Sequence, residues 1–106
     1  MGYQEIDGTI EEWARLHRLP LYKEAKEAEA RYFELADQNG RMYQIWIDEP
    51  DYNGLIGVHV WNLKRRGRRR DFLVSANDLS EYLENVLKIA QSWIGMGPDG
   101  NISTKS

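Results

Sequence analysis

The chain contains no cysteine, which excludes disulfides and thiolate metal sites. It has only two histidines, so an all-histidine metal centre is out of reach. No apolar run approaches the roughly 20 residues that a membrane-spanning helix requires. The start, Met1-Gly2-Tyr3-Gln4-Glu5, has neither the basic opening nor the apolar stretch of a signal peptide. These absences give the expectation of a soluble, cytoplasmic protein with no membrane association. Glycine-rich phosphate loops, zinc spacings and serine elbows are also missing, so no cofactor is expected.

What is present is a chain of 106 residues, the length of one domain, with 42% hydrophobic and 29% charged residues. Residues 1–95 are read as a single α+β domain. Met96 to Ser106, rich in Gly, Ser and Asn with Pro98, reads as a flexible tail.

The Thr9-Ile10-Glu11-Glu12 sequence fits a capping box, and Ile10, Trp13, Ala14 and His17 follow at helical spacing. A short helix over about residues 9–18 is therefore expected, ending before Pro20. Residues 21–30 are open between a helix, favoured by Ala, Glu and Lys, and an extended arm. Four period-two blocks then follow, at 31–37, 41–48, 55–63 and 70–76. They are read as a four-stranded antiparallel meander. A long helix comes next, with Asp78 at its start, a stripe of Leu79, Tyr82, Leu83, Val86, Leu87, Ala90 and Trp93, and Gly95 as its stop. The expected architecture is thus a four-stranded sheet with a short N-terminal and a long C-terminal helix packed on it.

Register follows from the alternation. Pairing Phe33 with Ile45 and Leu35 with Tyr43, then Ile45 with Val58 and Val60 with Phe72, makes one face aliphatic throughout. The opposite face then carries Tyr32, Trp46, Gly57 and Ser75 in one row, followed by Glu34, Gln44, His59 and Leu73, and then Ala36, Met42, Trp61 and Asp71. This places Tyr32, Gln44, Trp46, His59 and Trp61 together as a candidate binding surface, with Gly57 as a dip for a planar ligand. The expectation for this surface is that the N-terminal helix, through Ile10, Trp13 and Leu16, covers it and makes a second core. A homodimer through the same face is the alternative.

Lys64, Arg65, Arg66, Arg68, Arg69 and Arg70 fall within seven positions between two strands, and the rest of the chain carries eight basic against seventeen acidic residues. That run is a candidate anion-binding hairpin, or a solvated turn that discourages edge pairing. Catalysis has little to stand on. His59 and Glu34 share a row but lie two strands apart, about 10 Å. Glu49-Pro50-Asp51-Tyr52-Asn53-Gly54 opens like a calcium loop, but Val60 stands where the bidentate Glu belongs. The function expected is a small non-catalytic domain that binds a protein partner or itself. The alternative is single-stranded nucleic acid held by the basic hairpin and the aromatic face.

Overall fold

A computed structural model of the chain describes residues 2–25, 28–36, 42–62 and 69–96. After a 3₁₀ turn at Tyr3–Glu5 come helix α1 (Asp7–His17) and strands β1 (Leu21–Ala25), β2 (Ala28–Ala36), β3 (Met42–Ile47), β4 (Leu55–Asn62) and β5 (Arg69–Ser75). A second 3₁₀ turn, Ala76–Asp78, leads into helix α2 (Leu79–Met96). The fold is α+β, with one antiparallel sheet of five strands in chain order.

The sheet therefore has one strand more than the four expected. The extra strand is β1, whose Leu21 and Tyr22 stand opposite Phe33 and Tyr32. Its Lys, Glu and Ala favour helix as isolated residues, and pairing with β2 overrides that weak preference. A bulge between Tyr22 and Glu24 interrupts the pairing.

The aliphatic face is as expected in composition. Phe33, Ile45, Ile47, Ile56, Val58 and Val60 are fully buried on it, beneath Leu79, Leu83, Val86 and Ala90 of α2. Helix α1 lies on this same face and not on the aromatic one: Ile10 and Trp13 belong to the same core, and the Trp13 ring meets Phe33 edge-on at 5.2 Å. Width explains the outcome. Five strands about 4.8 Å apart make a face roughly 20 Å wide or more, about twice the diameter of one helix. Two helices are needed to roof it, and α1 takes the share that α2 leaves over β1 and β2. The Trp13 indole N–H donates to Glu84 of α2 at 3.0 Å, and Glu84 also takes the His17 ring, which joins the two helices.

The start of α1 is set by an ion pair. Instead of beginning at a Thr9 cap, the helix begins at Asp7 with no side-chain cap. Arg31 of β2 donates through Nε and Nη2 to the two oxygens of the Asp7 carboxylate at 2.7 and 2.9 Å. It also donates to Glu29 and to the Ala30 carbonyl, and its guanidinium lies 4.3 Å from the centre of the Tyr3 ring. Arg31 is only 4% exposed. The hydrogen bond from Arg31 holds the Asp7 carboxyl below the usual carboxylate range. The Tyr3 hydroxyl, pushed up to about 12 by burial and then by the charges of Asp48 and Glu49, donates to the Ile47 carbonyl at 2.8 Å. Helix α1 ends at Arg18, which adopts the left-handed conformation (φ 55°) usually left to glycine, and the Leu19 N–H closes on the Ala14 carbonyl.

Removing one partner of a buried pair leaves the other charge uncompensated. Asp7→Ala is expected to lower the unfolding free energy by about 3 kcal/mol in urea titration. Glu29→Ala, which removes an exposed partner of the same arginine, should cost under about 1 kcal/mol.

Candidate functional site

With both helices on one side, the second face of the sheet has no element of the described chain over it. Tyr22, Tyr32, Trp46, His59 and Asp71 stand directly opposite one another in a single row across all five strands. Glu34, Gln44, Trp61 and Arg69 form the adjacent row. The expected candidates Tyr32, Gln44, Trp46, His59 and Trp61 thus share one surface, but in rows that differ from those read from the sequence.

The difference is a slip of two residues. Ile45 pairs with Val60, not Val58, and Val58 pairs with Phe72, not Val74. A two-residue slip keeps every side chain on its own face, so the hydrophobic alternation cannot detect it. For the β3–β4 pairing the physical cause sits at the end of β3, where the Asp48 N–H reaches the Gly57 carbonyl at 2.8 Å. Pro50 has no N–H with which to prolong the ladder. Asp51 closes the loop on itself: its carboxylate accepts from the N–H groups of Asn53 and Leu55 at 2.8 and 2.9 Å. Gly54, at φ 77°, makes the left-handed turn beside it.

Gly57 is not an empty dip. A Cβ placed there would lie 2.4 Å from Oδ2 of Asp48 and 3.0 Å from Nε2 of His59. The space is taken by the Asp48 carboxylate as it folds across the glycine to reach His59. His59 Nε2 is 2.8 Å from Asp48, and Nδ1 is 2.7 Å from Asp71. Burial alone would lower the His59 pKa, but the hydrogen bonds and charge of the two aspartates outweigh it and hold the ring above its ordinary value. The hydrogen bond from His59 holds the Asp71 carboxyl down, and Arg69, 3.0 Å away, adds to this. An imidazolium with each N–H given to a carboxylate is the form this geometry favours. A general base needs a free ring nitrogen, and here both are occupied, so the trio acts as a clamp across the end of β3, β4 and β5.

The aromatic half of the face is equally interconnected. Tyr22 stacks on Tyr32 at 5.0 Å, and Tyr32 on Trp46 at 4.3 Å with the planes only 8° apart. Trp61 lies 6.3 Å beyond Trp46, and the Arg69 guanidinium sits 4.8 Å from the Trp61 ring centre. Gln44, 8% exposed, is the polar hub. Its Oε1 accepts from the indole N–H groups of Trp46 at 2.8 Å and Trp61 at 3.3 Å, and its Nε2 donates to Glu34 at 2.8 Å.

Of the basic run, Lys64, Arg65, Arg66 and Arg68 lie outside the described residues. Arg69 is on the open face. Arg70, opposite Val60, is on the helix side and 5.4 Å from the Phe72 ring centre. Sequence reasoning missed Tyr22 and Asp48 as members of the surface, and placed Asp71 on it in the row of Trp61 instead of beside His59. Tyr22 was hidden by the helix-like composition of β1, and the slip separated both aspartates from His59 in the expected register. A cleft of about 380 Å³ opens beside the histidine clamp, and Glu49, Leu55 and Leu73 help to line it. Among the described residues, no group of three His, Cys, Asp or Glu side chains could hold a metal ion, and no helix is long and apolar enough to cross a membrane. Comparison with protein families, with curated proteins and with solved structures gave no match.

Two outcomes test this geometry. The raised pKa of His59 means that the clamp contributes fully to stability below the unfolded-state value of about 6.5 and loses that contribution as pH rises through the folded value. NMR titration of the His59 ring should therefore give a midpoint above about 6.5, with Gly57→Ala, which displaces Asp48, moving it downward. Gln44→Leu, which strips a partner from two indoles and a carboxylate, should cost about 2 kcal/mol in urea unfolding monitored by tryptophan emission.

Proposed function

We propose that this chain is a small non-catalytic protein-interaction domain whose contact surface is the open face of the sheet. The observation that carries this reading is that the polar atoms of the face are paired sideways, with one another, while apolar surface is left outward. Gln44 satisfies Trp46, Trp61 and Glu34, and Asp71 joins His59 to Arg69. Leu73 remains 64% exposed, and Tyr22 is exposed at the end of the stacked row. A partner laid on such a surface strands few hydrogen-bonding groups, which is the largest cost of covering a polar face. Apolar patches rimmed by polar groups are characteristic contact sites.

Single-stranded nucleic acid ranks behind this reading. Base stacking needs free ring faces, whereas Tyr32 has Tyr22 on one side and Trp46 on the other, and Trp61 carries Arg69. The basic run still provides charge for phosphates, and anisotropy of a labelled single-stranded oligonucleotide at low salt would reveal such binding.

The test of the main reading is photo-crosslinking in cells. p-Benzoylphenylalanine at position 73 should give discrete protein adducts, while the same probe at position 85, exposed on α2, should give none. Equal labelling from both positions, or none from position 73, would remove the reading.

A further inference from the structure

We propose that β5 is a docking edge for an extended segment of another protein, which adds antiparallel beside it with apolar residues opposite Phe72 and Leu73 and carboxylates opposite Arg70 and Arg69. The proposal goes beyond the open face. It rests on the margin of the sheet and on its backbone, and shares with that face only the side chains that β5 lends it.

The two margins of the sheet are built differently. At the β1 margin a bulge between Tyr22 and Glu24 breaks the pairing, and the Lys23 carbonyl is drawn toward Arg31. At the other margin β5 pairs with β4 residue for residue, from Arg69 opposite Trp61 to Ser75 opposite Leu55, with no shift. Among the described residues no strand lies beyond it. A regular, unblunted edge is a template for another strand.

The ladder shows which backbone groups of β5 are left over. In an antiparallel pair, alternate residues turn their N–H and C=O toward the same neighbour. The Asp48 N–H bonds to the Gly57 carbonyl, so Gly57 and His59 turn theirs toward β3. Ile56, Val58 and Val60 then turn toward β5 and meet Val74, Phe72 and Arg70. The N–H and C=O groups of Asp71 and Leu73 are therefore aimed away from the sheet. Two residues of an incoming strand, opposite Asp71 and Leu73, satisfy all four groups, and only an extended segment has that spacing.

The side chains of β5 set the chemistry of that segment, because cross-strand neighbours on one face touch. Leu73 is 64% exposed on the open face. Phe72, on the helix side, is half-buried with its ring centre 5.7 Å from that of Tyr82. Apolar residues opposite these two cover both. Nearer the start of the strand, Arg70 is exposed on the helix side and Arg69 is exposed on the open face. Carboxylates opposite them complete the match. Asp71 stands between the two and is already engaged by His59 and Arg69, which calls for a neutral residue there. The arginines also select: a strand with lysines in these places sets like charges together and is refused.

The experiment is NMR of the full chain with a synthetic peptide as long as β5, 7 residues. The peptide carries β-branched residues to face Phe72 and Leu73, threonine to face Asp71, and glutamates to face Arg70 and Arg69. In the free chain the Asp71 and Leu73 amides should exchange with solvent faster than those of Phe72 and Val74, and the peptide should slow them at least tenfold. Methylating the peptide nitrogen that faces Leu73 should weaken binding at least tenfold, whereas methylating the next nitrogen, which points away from β5, should change it less than threefold. Replacing the glutamates by lysines should also weaken binding at least tenfold at low salt. Asp71 and Leu73 amides that are already slow in the free chain, at any concentration, mean an occupied edge and overturn the proposal. So do amides left unprotected at millimolar peptide, methylated peptides that bind alike, and a lysine peptide that binds as well. Any of these results beside discrete crosslinks from position 73 in cells removes the docking edge and leaves the open face standing.

Discussion

The ion pair between Arg31 and Asp7 fastens the N-terminal helix to the side of the sheet that it helps to roof, and the character of the molecule follows from that attachment. A guanidinium this deeply enclosed is tolerable only with its donors filled, and the first turn of α1 is where two of the acceptors come from. Asp7 also sits where the helix dipole favours a negative charge. Helix and strand are thereby held in one relative position, with Tyr3 beneath the guanidinium and Ile10 and Trp13 turned into the common core. Because α1 is committed to that side, the opposite surface of the sheet is left to be something other than interior.

That surface is organised by lateral contacts. Interior side chains are satisfied from above and below. Here the stacked tyrosines and tryptophans, the Gln44 amide and the aspartate–histidine clamp are satisfied by neighbours within the sheet surface, most of them on adjacent strands. Such cross-strand pairs each contribute little singly. As a connected row spanning all five strands, they fix one another's rotamers, so the face is ordered in the chain on its own.

The sequence made the class of fold, the aliphatic face and the membership of most of the aromatic face legible, because period-two alternation reports which side of a strand a residue takes. It did not reveal which residues meet across the strands beyond β3, since a slip of two preserves every face assignment; at the β3–β4 pairing the deciding features were Gly57 and Pro50, whose effects are local and steric. The strand at 21–25 was obscured by helix-favouring residues whose pairing partner lies in the next segment. The position of α1 depended on comparing the width of the sheet with that of one helix, and a four-strand reading makes that width too small. The pairing of Asp7 with Arg31 joins residues 24 positions apart and leaves no trace in local pattern.

The bulge in β1 bears on how copies of the chain can meet. An outermost strand with regular hydrogen-bonding groups invites another strand to add beside it, and then another, without limit. Here the regular pairing is interrupted between Tyr22 and Glu24, the Lys23 carbonyl is drawn toward Arg31, and the Lys23 ammonium is held by Glu11 of α1 at 2.5 Å. This margin of the sheet is thus a poor template for growth in its own plane, and an open-ended ribbon of strands cannot start from it in regular register.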